Sequence, residues 1–153
     1  MKPRVVVAAL FATVAGAVAG PGVAHAGPDA DAKDPYAYGC TGNASVVASA
    51  PVITNAGATL GTAYLWYSWS CGTNWSAVRA SVNSNGVGQL TTNTVKASYP
   101  FEWQPYTWTG YFVAGSRSWS DMIYAPTSCV TANVFIQLGN GDVGEAYLTD
   151  PTC

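Results

Sequence analysis

Charge and histidine are scarce in this sequence. Only 9% of its 153 residues are charged, and histidine occurs once, as His25. With 6 Lys+Arg against 8 Asp+Glu and a pI near 5.0, the chain lacks the basic patch that nucleic-acid binding requires. No C-x-x-C pair occurs, which argues against a tetrathiolate zinc site. No amphipathic helical stretch of useful length is present, and there is no internal repeat. The length fits a single domain.

The N-terminal segment reads as an export signal. Lys2 and Arg4 precede an apolar run from Val5 to Ala19, Gly20-Pro21-Gly22 then breaks any helix, and Ala24-His25-Ala26 is an A-x-A cleavage signature. The run of about 15 residues is shorter than the roughly 20 that span a bilayer. Residues 1–26 are therefore expected to be a signal peptide cut after Ala26, leaving a secreted chain with no membrane anchor. That cut removes the only histidine. Lys33, Arg79, Lys96 and Arg117 then stand against all 8 acidic residues, for a net charge of −4. Without histidine there is no Ser-His-Asp or Cys-His pair and no imidazole ligand for metal or haem. The expectation is a protein that is not an enzyme and uses no cofactor. The four cations read as too scattered for anion recognition, and neither lysine is marked as buried.

Cys40, Cys71, Cys129 and Cys153 form an even set in an exported chain, which implies a disulfide framework. Three connectivities are open. Cys40–Cys71 with Cys129–Cys153 is favoured, because nested or crossed pairings close longer loops. Each bridge would stabilise by roughly 3–4 kcal/mol in the chain-entropy model.

Gly27 to Tyr38, with three Asp and two Pro, reads as a mobile acidic arm (residues 27–39) ahead of one domain (residues 40–153). From there the pattern is β. Strands are expected at 45–54, where Pro51 marks an edge or bulge, at 59–69 and at 75–82. Residues 87–97 read as a weak Thr-rich edge segment. Two aromatic strands, 106–113 and 119–124, are joined by Ala114-Gly115-Ser116-Arg117. The pair 130–138 and 143–148 flanks Gly139-Asn140-Gly141-Asp142, a strong hairpin signal because Asn-Gly accepts positive φ. The fold class is all-β: a small disulfide-stapled β-sandwich or barrel of six to eight short antiparallel strands.

The run Asp34-Pro35-Tyr36, Gly39-Cys40 and Leu65-Trp66-Tyr67-Ser68-x-x-Cys71-x-x-x-Trp75 resembles the YjfA-like secreted domain-of-unknown-function family of Bacillus and actinobacteria. The family pattern is a D-P and G-C start followed by L-x-Y-S-x-x-C-x-x-x-W-A. Here Ser76 replaces the usual Ala, and Trp66 stands where Arg is common. The match covers roughly a third of the chain after residue 26. It implies export and supports pairing Cys40 with Cys71, but it brings no catalytic residues. The high Ala and Gly content fits an actinobacterial origin.

Aromatic residues are the most unusual feature: 6 Trp and 9 Tyr, all after the cleavage point. Trp66, Trp103, Trp108 and Tyr111 are candidates for an exposed aromatic surface, although rings are also the natural core of a small domain poor in Leu and Ile. Among the carboxylates, alternation points Glu102 to solvent, while turn and hairpin positions explain Asp142 and Glu145. Asp29-x-Asp31-x-x-Asp34 lacks the glycine and closing Glu of a calcium loop and reads as solvated. The leading functional expectation is a secreted, non-enzymatic adaptor or subunit of an extracellular assembly, such as an antibacterial toxin particle. It would contact its protein partner through the arm residues Asp34, Pro35, Tyr36 and Tyr38. The alternatives are a cell-wall or carbohydrate-binding protein and a protease inhibitor acting through loops 83–88 or 114–118.

Overall fold

A computed structural model of the chain describes residues 27–98 and 100–153. The expected signal peptide lies outside the described residues. Alternating β-branched and small residues, punctuated by glycine turns, produce nine strands. These are β1 (Ala44–Thr54), β2 (Thr59–Ser68), β3 (Thr73–Ala80), β4 (Gly88–Lys96), β5 (Glu102–Gly110), β6 (Arg117–Trp119), β7 (Ile123–Tyr124), β8 (Val130–Gln137) and β9 (Val143–Thr149). Eight of them follow one antiparallel path, β5-β4-β8-β9-β1-β2-β3-β6, and β7 adds to β3. The path nearly closes into a barrel. At the seam, the Thr94 hydroxyl of β4 donates to Ser76 Oγ of β3 at 2.8 Å, with no backbone ladder between the two strands.

Period-two alternation fills the interior. Val130, Ala132, Val134 and Ile136 of β8 meet Ala146 and Leu148 of β9, Ala63 and Leu65 of β2, and Leu90 of β4. Each larger side chain contributes about 1.5–3 kcal/mol by leaving water. The hairpin at Asn140-Gly141 forms as expected: Gly141 adopts φ 93°, and Leu138 and Asp142 close the turn. Both favoured disulfides are present, Cys40–Cys71 and Cys129–Cys153. No helix among the described residues is long and apolar enough to cross a membrane.

Several boundaries differ from the sequence reading. The Thr-rich segment is not an edge: β4 lies between β5 and β8, with Leu90, Thr92, Thr94 and Lys96 turned inward and buried. The edge on this side of the sheet is β5. It pairs only with β4 and therefore tolerates Pro105. It also ends earlier than expected, because Phe112 turns into the core and its N–H donates to Ser84 Oγ at 3.1 Å. The two aromatic strands do not form a hairpin, since β6 pairs with β3. The expected strand 119–124 is split in two. Ala77 faces Trp119 and Asn74 faces Ile123, so one extra residue bulges out between β6 and β7. Pro51 itself pairs in register with Thr62, while the two register shifts of β1 fall at Val46/Ala48 and Val52/Ile53. β9 pairs only with Ile53 and Thr54, so Pro51 has a ladder partner on one side only.

The bulge is held by the N-terminal segment. The Ala32 N–H donates to Met122 O and the Met122 N–H donates to Lys33 O, each at 2.9 Å. Ala30, Cys40, Cys71, Trp75 and Met122 form a second apolar cluster on the outside of β3, flanked by Tyr38, Trp66 and Trp119. The segment expected to be a free arm is thus packed. Its three aspartates misled the sequence reading, because two of them are spent on hydrogen bonds to the body of the fold rather than on solvent.

Candidate functional site

The D-P-Y-x-x-G-C run folds into a clamp. Asp34 Oδ1 accepts the N–H groups of Tyr36 (2.9 Å) and Ala37 (2.8 Å), as an Asx-type turn does. Its Oδ2 accepts the indole N–H of Trp119 at 2.8 Å. Pro35 is buried, Gly39 adopts φ 82°, and Cys40 is bonded to Cys71. Nearby, Asp31 Oδ1 accepts the Tyr124 N–H at 2.8 Å. Burial pushes the Asp34 carboxyl upward, but the hydrogen bonds from Trp119, Ala37 and Tyr36 outweigh it and hold the group below the usual carboxylate range. Of the four residues expected to form a partner-binding arm, Asp34, Pro35 and Tyr38 are therefore engaged within the chain. Tyr36 remains half-exposed, its ring 4.6 Å from that of Trp119.

The clamp builds one wall of a groove on the outer face of β2, β3 and β6. Tyr64, Ala77 and Trp119 lie in one cross-strand row, and Thr62, Arg79 and Arg117 lie in the next. Ala77 is the small floor between two rings. Trp66 closes the groove and is stacked on Trp75 at 5.9 Å, with the planes 2° apart. The hollow, of about 300 Å³, is lined by Tyr36, Tyr64, Trp66, Ala77, Arg79 and Arg117.

Beyond Trp119 a second hollow of about 320 Å³ opens over the barrel seam. It is lined by Asp34, Tyr106, Trp108, Arg117, Trp119 and Asp121. Ser118 also lines it and leaves a buried Oγ without a partner. Burial raises the Asp121 carboxyl above its ordinary range; the nearby Asp34 charge raises it further and Lys33 opposes. Asp34 and Asp121 are far apart in sequence, so spacing gave no hint that they share a cleft.

The aromatic surface expected from the sequence is not a single platform. Trp66 belongs to the groove and Trp108 to the seam cleft, where it meets Phe112 edge-on at 6.4 Å. Trp103 and Tyr111 point to solvent elsewhere, 56% and 76% exposed. The residues missed were Tyr64, Trp119, Arg79 and Arg117. Only cross-strand register brings the two arginines together, which corrects the expectation that the cations are scattered.

Two further expectations are corrected by the barrel interior. Lys96 is buried, and Glu102 turns inward to pair with it; the lysine also donates to Tyr124 O at 3.2 Å. Local alternation failed for Glu102 because its neighbours Phe101 and Trp103 are the solvent-facing rings, while Glu102 shares the inward face of β5 with Trp108. Next to this pair, Ser76, Thr94 and Ser120 form a buried hydroxyl cluster, with the Thr94 and Ser120 oxygens 2.7 Å apart. Loops 83–88 and 114–118 are tied together, since Asn83 Oδ1 accepts the Ala114 N–H at 2.9 Å.

Comparison with protein-family models, with curated proteins and with solved structures finds no match to this chain.

Proposed function

We propose that this is a secreted, non-enzymatic interaction module: an adaptor or subunit of an extracellular protein assembly, of which an antibacterial toxin particle is one setting. The observation that carries the reading is the outer groove. Rings from three separate segments, Tyr36, Tyr64 and Trp66 with Trp119 behind them, are held over a small-residue floor by the Asp34 clamp and a disulfide. Rigid aromatic pockets of this kind supply most of the binding energy at protein interfaces. Export is supported by the N-terminal A-x-A signature and by two disulfides, which persist in oxidising compartments. Membership in the YjfA-like family is part of the same proposal, and the clamp gives its D-P and G-C signature a structural role.

Tagged protein purified gently from native culture supernatant tests the proposal. A secreted protein should co-purify in fixed ratio and be lost with Tyr64→Ala, which removes a groove wall without touching the clamp. A lone monomer would count against it.

The seam cleft favours a second reading, glycan binding. Two carboxylates beside Tyr106 and Trp108 suit the hydroxyls and apolar faces of a sugar. A glycan array and purified peptidoglycan test it; retention should disappear with Trp108→Ala.

A further inference from the structure

Arg79 and Arg117 occupy directly opposite positions on β3 and β6, and both are exposed. Like charges placed so are destabilising. After residue 26 the chain has only four basic residues. Lys96 is paired with Glu102, and Lys33 lies near Asp121. The remaining two are set side by side at the rim of the aromatic groove. Among the described residues the single ion pair is Lys96–Glu102, so neither guanidinium has a carboxylate partner there. The forks of two adjacent arginines match a carboxylate in geometry and charge.

The neighbouring charges narrow the choice of ligand. Arg117 also lines the seam cleft, where Asp34 and Asp121 present negative charge. The surface thus runs from positive, at Arg79 and Arg117, to negative, at Asp34 and Asp121, across the Trp119 ring. A polyanionic wall polymer laid along it would meet repulsion at the second half. An extended peptide carrying both signs would not.

We infer that the groove binds an extended segment of the partner protein, with an Asp or Glu carboxylate seated on Arg79 and Arg117 and a basic residue of the same segment directed toward Asp34 and Asp121. This rests on the interaction-module reading and names what the groove recognises.

The test uses an array of synthetic peptides in which an acidic and a basic residue flank an aromatic or Leu residue at varied spacing. Neutral and all-acidic peptides serve as controls, and polygalacturonate and peptidoglycan serve as polyanionic sugar probes. The full mature chain should be retained by mixed-charge peptides. Retention should weaken roughly tenfold in Arg79→Gln and in Arg117→Gln, and it should fall with added salt. Relief of the like-charge contact should leave the melting temperature of both variants unchanged or higher. Retention on the sugar probes alone, or on no peptide, would overturn the inference, as would a marked drop in melting temperature, which would make the arginines structural. If the wild type captures its partner from supernatant and the Arg79→Gln/Arg117→Gln variant captures it equally, the interaction module stands and the arginine site falls.

Discussion

The Trp119 indole N–H donates to Asp34 Oδ2 at 2.8 Å, joining residues separated by 85 positions in sequence. This contact makes the N-terminal segment part of the domain. It fixes a ring of the groove, positions one carboxylate of the seam cleft and shields the outer cluster around Trp75.

Asp34→Ala should therefore act at a distance. It removes an acceptor for three N–H groups, and hydrogen bonds to a charged group at this partly exposed site are worth about 1–2 kcal/mol in sum. The melting temperature should fall, and limited proteolysis should cut within residues 27–39 faster than in the wild type. Deleting residues 27–38 should be more damaging still, because it uncovers Met122 and Trp75.

The two clustered carboxylates have opposite pH signatures. The folded-state pKa of Asp34 is depressed, so its contribution is present above the unfolded value near 3.8 and is lost as pH falls through the folded one. Asp121 is raised, so its favourable contribution belongs to low pH and is lost as pH rises through its folded pKa. Asp121→Asn should stabilise at neutral pH, with the gain fading below about pH 3.8. Asp34→Asn should do the reverse, and it should lower the Asp121 pKa in a carboxyl NMR titration.

Removing either disulfide should cost about 3–4 kcal/mol, given loops closed over 31 and 24 residues. The consequences differ in place. Cys40→Ser/Cys71→Ser should also release the clamp and expose the N-terminal segment to protease. Cys129→Ser/Cys153→Ser should leave the clamp intact, as amide hydrogen exchange at Tyr36 and Ala37 would report.

Lys96→Met leaves the Glu102 carboxylate inside the seam without its cation. Breaking a buried pair from one side costs about 3 kcal/mol, less where one partner keeps some exposure, as Glu102 does. The double variant Lys96→Met/Glu102→Leu should recover part of that loss. Chemical denaturation of the three proteins gives the coupling directly.

The sequence by itself determined the all-β class, the turn at Asn140-Gly141 and the identity of the bridged cysteines. These are local or combinatorial properties: side-chain alternation has a period of two, Asn-Gly accepts positive φ, and four cysteines have few pairings. It also marked the D-P-Y and G-C residues as special, although their role is to clamp rather than to float. What it could not place depends on which strands become neighbours. Arg79 meets Arg117, and Tyr64 and Trp119 flank Ala77, only because β3 lies between β2 and β6. Lys96 is buried, and Glu102 turns in to meet it, because β4 is an interior strand of a nearly closed barrel. Strand order is decided by the collective burial of one interior, and no single segment encodes it.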